Sequence, residues 1–253
     1  MQKFIIVGTP RTGSSALAQL INFHPEVLCG WEWTNNVPWW KKIQVAQAAL
    51  SGDFRQLTEN NRIFMEERST SVIKYIGYRS LFRSSNKWLI HPRLCPVIWA
   101  ERLKQHTRWI ANNPDISIIH ITRNDNLAWL KSYLFSSITK NYINKPYPEA
   151  LSININRAEA IARVRSKLWL DKQLARLKNS NPYLKIKYEA LDADKLDTGK
   201  LVIQFLGCKD SGYSIDESMM CSKQSKGLTS EGIENYEEIS LEFSKRNLLN
   251  SQL

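Results

Sequence analysis

The chain predicts an α/β fold of three αβα layers, with helices on both faces of a mostly parallel central sheet. Three observations carry that expectation. Short apolar, β-branched runs alternate with helical patterns along the 253 residues. The first run passes directly into a glycine-bounded loop. No repeat or low-complexity linker interrupts the alternation, and a composition 43% hydrophobic and 23% charged supplies a core, so residues 1–253 read as one domain.

Phe4–Val7 is the first buried strand, Gly8–Gly13 a turn-rich loop, and Ser14–Leu20 a helix. Strand, loop and helix N-terminus form a P-loop, in which unpaired N–H groups and the helix dipole favour an anion. The spacing is that of a Walker A loop with one change. Gly8 and Gly13 take the glycine positions and Ser15 the Ser/Thr position, but Ser14 stands where the lysine belongs. The cation has moved into the loop as Arg11, between Pro10 and Thr12.

Further along, Val27–Trp33 predicts a second strand, and Val37–Leu50 and Phe54–Arg68 predict helices. Ser71–Tyr78 alternates weakly as a strand, and Lys87–Ile90 reads as another, stopped by His91-Pro92. Ala100–Asn112 is helical. Ile116–Thr122 is the second clear buried strand, followed by a helix over Leu127–Thr139 and a proline-bearing loop over Asn141–Pro148. Asn156–Lys178 is the longest helix by its apolar spacing. Leu184–Lys187 is a short strand, Gly199–Leu206 a helix closed by Gly207, and Tyr236–Asn247 a last short helix. Ligands of such sheets bind beyond the carboxyl ends of the strands, which puts the loop, Glu32 and the residues after Thr122 on one rim. Arg123 ends a buried strand and Ser132 follows on the next helix, so a guanidinium fork and a hydroxyl can meet a second phosphate.

The net charge of +11 suits an anionic ligand, nucleic acid or an acidic membrane equally. The basic residues are scattered, and no zinc finger, RNP or helix-turn-helix signature accompanies them, so no nucleic-acid partner is expected. Cys29, Cys95, Cys208 and Cys221 match no metal spacing and read as isolated thiols. No apolar run is long enough to span a membrane and no signal peptide is recognisable, so a cytoplasmic location is expected. Nothing signals an oligomeric state.

The PRTGSS loop resembles the 5′-phosphosulfate loop of sulfotransferases that use 3′-phosphoadenosine 5′-phosphosulfate (PAPS), most closely the carbohydrate and nodulation-factor type. The resemblance continues through Asn22–Val27, which contains HPEV, to Glu32. The Arg123–Ser132 pair resembles the family's 3′-phosphate motif, which distinguishes this donor from ATP. Lys187–Leu191 is similar to the family's YE-x-L segment, making Tyr188 a candidate nucleotide contact. Lys223–Ser225 and Ile233–Glu238 are similar to its C-terminal region, which puts Lys226 and Gly227 near the adenosine. These motifs cover residues 1–40, 116–132 and fragments of the last third, leaving residues 41–115 for the acceptor site.

The resemblance implies in-line transfer of a sulfuryl group to a hydroxyl on a small molecule or glycan, with adenosine 3′,5′-bisphosphate (PAP) as product and no metal. Arg11 would neutralise the leaving phosphate while Ser14 and Ser15 cap it. Glu32 is the first candidate for general base, and His91, between the two phosphate motifs, the second. Arg79 reads either as a further cation near the acceptor or as a solvated arginine. Trp31, Trp33, Trp39 and Trp40 could stack on sugar faces, although such clusters usually pack cores. His24, His106 and His120 show no partner context that suggests catalysis. The competing readings are a P-loop nucleotide kinase, disfavoured by Ser14 and the lack of a clear Walker B aspartate, and a catalytically inactive nucleotide-binding protein.

Overall fold

The computed structural model describes residues 1–30, 41–69, 72–81, 95–140, 147–148, 150–209, 213–216, 218, 220 and 229–250. Five parallel strands make one sheet: β1 (Gln2–Gly8), β2 (Val27–Gly30), β3 (Tyr75–Leu81), β4 (Ile116–Thr122) and β5 (Tyr183–Lys187), in the order β2-β3-β1-β4-β5. The mostly parallel expectation is met by a sheet that is parallel throughout.

β1 is buried on both faces, so its residues alternate between two cores rather than between core and solvent. Phe4 and Ile6 pack with Leu17 and Leu20 of α1 (Ser14–Ile21) and Val202 and Ile203 of α8 (Lys195–Leu206). Ile5 and Val7 point the other way, into a cluster built by α2 (Lys42–Leu50), α3 (Glu59–Arg68), α4 (Cys95–Ala111) and α6 (Arg157–Ala175). A third cluster joins α5 (Asn126–Thr139) and α6 to α9 (Tyr236–Lys245) through Leu130, Val164 and Phe243.

Several boundaries differ from expectation, each for a physical reason. The helix expected over Phe54–Arg68 begins at Glu59, because the Asp53 carboxylate accepts from the Arg55 amide at 3.2 Å and its guanidinium at 2.8 Å. The resulting turns still bury Phe54 and Leu57. β3 starts at Tyr75 and runs on through Leu81 because its register is set by β1, with Gln2 opposite Tyr75 and Gly8 opposite Leu81. α4 begins at Cys95, since Pro96 is tolerated in a first turn. The longest helix stays α-helical only to Ala175 and tightens into a 3₁₀ turn over Arg176–Asn179.

After β5 the chain forms an unforeseen short helix, α7 (Tyr188–Ala193). α8 then starts at Lys195, where Asp194 caps the Asp197 amide at 2.8 Å. Gly199 therefore lies inside α8, where a Cβ would sit 1.9 Å from Tyr213 Oη. The expected strand at Lys87–Ile90, the end of Val27–Trp33 and the start of Val37–Leu50 lie outside the described residues. No helix is long and apolar enough to cross a membrane among the described residues.

Candidate active site

The carboxyl ends of β1, β3 and β4 lie side by side, Gly8 facing Leu81 on one side and Ile121 on the other. Gly8 is required by closeness: a Cβ there would lie 2.6 Å from the Ile121 carbonyl oxygen. The loop that follows folds back on itself through Thr12 Oγ1, which donates to the Thr9 carbonyl at 2.8 Å. Arg11 has φ 67° and Gly13 φ 84°, both left-handed, the first uncommon for a residue with a side chain.

α1 then starts at Gly13 without a side-chain cap and without an acidic residue in its first turn. The starts of α5, α6 and α8 differ, each capped by Asp125, Asn156 or Asp194. The α1 N-terminus thus presents amide donors and a positive dipole end beside the loop.

The loop arginine bridges the two anion motifs. Arg11 Nε donates to Ser132 Oγ at 3.0 Å and Arg11 Nη2 to Tyr147 Oη at 3.0 Å, while Tyr147 Oη donates to the Ser132 carbonyl at 3.1 Å. Arg123 Nη1 reaches the Arg11 carbonyl at 3.4 Å, and its guanidinium stacks 4.4 Å above the Tyr188 ring. Tyr188 in turn abuts Gly13, where a Cβ would lie 2.6 Å from the ring. Arg11, Gly13, Arg123, Ser132 and Tyr188 therefore share one rim. Burial pulls the Arg11 guanidinium below its ordinary value; Tyr147 opposes this, and neighbouring Arg123 adds to it.

Arg79 is not a solvated arginine. It lies in β3 opposite Ile6, is 5% exposed, and its Nη1 hydrogen-bonds Ser15 Oγ. Ser14, at the missing lysine's position, is buried, and Thr9 Oγ1 is a buried hydroxyl with no hydrogen-bond partner among the described residues. The loop also leans on α5, where Trp129 Nε1 donates to the Pro10 carbonyl at 2.8 Å.

The three other histidines have closer partners than the sequence suggested. His106 Nε2 lies 3.4 Å from Tyr78 Oη and 3.5 Å from Ser80 Oγ, and burial, aided by Lys42, holds its imidazole down at about 4. His120 Nδ1 is 2.5 Å from Tyr183 Oη, and its Nε2 is 3.9 Å from Asp171 Oδ1. His24 contacts the Lys209 carbonyl at 3.0 Å. All three are buried. Cys29 and Cys208 are buried thiols, both pushed up by burial, Cys29 to about 12 and Cys208 to about 11.

Glu32, His91, Lys226, Gly227 and the four tryptophans of residues 31–40 lie outside the described residues. Tyr147, Trp129 and Lys167 were not among the sequence candidates. Nothing local marks them, because their partners are distant in the chain.

Residues 3–211 match the model of a family described as the sulfotransferase family. The match runs through residues 41–115, which carry none of the quoted motifs. Among solved structures, the chain is similar to a sulfotransferase from Alicyclobacillus acidocaldarius at 16% identity, covering 97% of this chain and 94% of that one with a TM-score of 0.48. It is similar to the sulfotransferase domain of the Synechococcus PCC 7002 olefin synthase at 15% identity, covering 96% and 86% with a TM-score of 0.43. A third is mouse sulfotransferase SULT7A1 complexed with PAP, at 16% identity, covering 86% of this chain and 60% of that one with a TM-score of 0.40. No curated protein matches by sequence.

Proposed function

The chain belongs to the sulfotransferase family, and from that premise we propose that it moves a sulfuryl group from PAPS to an acceptor hydroxyl on a glycan, releasing PAP. The observation that carries this reading is the Arg11–Ser132 hydrogen bond, which unites the P-loop with the strand-end pair on one rim. A nucleotide carrying phosphates at both ends is the ligand that would engage both.

The residues fit such a donor. The backbone approach at Gly8, the left-handed Gly13, the uncapped α1 start and the buried Thr9 hydroxyl make an anion cradle. Arg123 and Ser132 would hold the 3′-phosphate, with Tyr188, Lys226 and Gly227 beside the nucleoside. Pro10, Thr12, Ser14 and Ser15 shape and cap the 5′ end. When bound, PAPS supplies a sulfuryl group on a phosphate leaving group.

Arg11 would neutralise charge developing on that phosphate, a role for a preorganised cation in a water-poor site. Arg79, held against Ser15, would add a second cation toward the acceptor. Glu32 would accept the acceptor's proton, with His91 as the second candidate. We read residues 1–253 as one domain acting in the cytoplasm without a metal. The test is incubation with PAPS and a panel of hydroxylated sugars, lipids, phenols and small metabolites, read by mass spectrometry. Sulfated sugar alone supports the glycan reading; sulfation of another class moves the acceptor, and no PAP from any acceptor favours an inactive nucleotide binder.

A further inference from the structure

Two backbone carbonyls at the rim each accept a hydrogen bond from a buried side chain that has no part in the chemistry above. Lys167 Nζ, on α6, donates to the Arg123 carbonyl at 2.8 Å and to Asp171 Oδ2 at 3.0 Å. Trp129 Nε1, on α5, donates to the Pro10 carbonyl at 2.8 Å. The two side chains are neighbours: the Lys167 ammonium sits 5.9 Å from the centre of the Trp129 ring.

The side chains of Lys167 and Asp171 are both wholly inaccessible. A buried ion pair is a poor way to gain stability, since apolar side chains of the same volume often do as well or better. What apolar side chains cannot do is grip a carbonyl. β4 ends at Thr122, so the sheet ladder no longer fixes the backbone at Arg123. Lys167 takes over there, and Glu189 Oε1 holds the next two amides, Asn124 at 2.9 Å and Asp125 at 3.2 Å. This anchored backbone fixes the point from which the Arg123 side chain departs, and the Arg11 carbonyl and the Tyr188 ring hold its guanidinium.

The loop has the same need. Arg11 keeps a left-handed φ of 67° that its side chain disfavours. The peptide entering it is the one whose carbonyl, on Pro10, Trp129 holds.

We propose that Lys167 and Trp129 are a linked pair of positioning residues, Lys167 aiming Arg123 at the donor's 3′-phosphate and Trp129 aiming Arg11 at its 5′ end. The proposal rests on the donor reading above. It assigns a function to a charged core pair that no step of the reaction uses.

The experiment measures Kd for PAP and for AMP by calorimetry in three proteins, with melting temperatures alongside. In Lys167→Met/Asp171→Asn, which leaves no orphan charge, the preference for PAP over AMP should fall about tenfold, as for one hydrogen bond to a charged group. Affinity for AMP should hold. Trp129→Phe keeps an aromatic ring and loses the N–H with the rest of the indole, so both nucleotides should weaken by the same factor and the preference should survive. A merely structural role would lower the melting temperature and leave both quantities unchanged in the folded variants, and that result overturns the proposal. Should the double variant fail to fold, Trp129→Phe decides, and undiminished affinity overturns the pairing. Wild-type protein without any preference for PAP would instead refute the donor reading, and the positioning proposal with it.

Discussion

Arg11 and Ser132, 121 positions apart, are joined by a 3.0 Å hydrogen bond from Nε to Oγ. Each is a candidate for a different end of the nucleotide, yet they contact one another. Tyr147 closes the arrangement by binding Arg11 through its hydroxyl and the Ser132 carbonyl through the same oxygen. The loop arginine and the α5 serine are therefore joined both directly and through Tyr147.

Ser132→Ala separates the two functions of that serine. If its hydroxyl meets the 3′-phosphate, Kd for PAP should rise about tenfold while Kd for AMP changes little. Titration calorimetry reads both. Equal losses for the two nucleotides would mean that Ser132 acts only through Arg11.

Gly13→Ala is expected to destabilise the fold by about 1–3 kcal/mol, the cost of a left-handed backbone for a residue with Cβ plus a steric clash. Here φ is 84° and the new Cβ would lie 2.6 Å from the Tyr188 ring. For a chain of this size the melting temperature should fall about 2–4 °C per kcal/mol. Adding Tyr188→Leu should recover only the part owed to the clash. Full recovery would show that the backbone conformation costs nothing.

The P-loop was legible because its signal is local: Phe4–Val7, Gly8, Arg11 and Gly13 follow one another without interruption. Arg123 and Ser132 were legible for the same reason, nine residues apart on a strand end and the next helix. Tyr147, Trp129 and Lys167 were not, because their partners lie 136, 119 and 44 positions away. β3 was misplaced because its limits come from pairing with β1 rather than from its own alternation. Arg79 was ambiguous for that reason: moving the strand's end from Tyr78 to Leu81 turns a solvated arginine into a buried cation of the rim.

Transfer should survive EDTA. The lysine that would accompany Mg²⁺ on a triphosphate is replaced by Ser14; Arg11 stands in the loop itself, Arg123 reaches its backbone and Arg79 bonds Ser15 beside it. Activity is compared before and after chelation. Loss on chelation with recovery on added Mg²⁺ would return the chain to a kinase-like mechanism.

His106 makes stability depend on pH. Burial, with Lys42 nearby, holds its folded pKa at about 4, below the unfolded value of 6.5. Between these values the unfolded chain binds the proton and the folded one does not, so stability is complete above about 6.5 and is lost as pH falls toward 4. The whole effect is on the order of 3 kcal/mol. The Glu26 carboxyl, held by Lys74, and the Glu242 carboxyl, held by Arg246, titrate below their ordinary 4.5, so the comparison is made on melting temperatures between pH 7 and 5 with the His106 variant alongside. His106→Gln should flatten the slope there; an unchanged slope would assign it to another group.

The general base is where Glu32 and His91 part. Glu32 follows Gly30, the last residue of β2, by two positions, and β2 belongs to a sheet whose carboxyl ends share one rim with the loop. Arg79 extends β3 beside β2, and its charge bears on buried Cys29 of that strand, pulling against the burial that pushes the thiol up. Glu32→Gln keeps shape and hydrogen bonding but removes the proton acceptor. It should leave Kd for PAP unchanged while lowering kcat by ~10²–10⁴, the usual contribution of a positioned base. His91→Asn should cost less. Wild-type turnover in Glu32→Gln, together with a large loss in His91→Asn, would pass the role to His91.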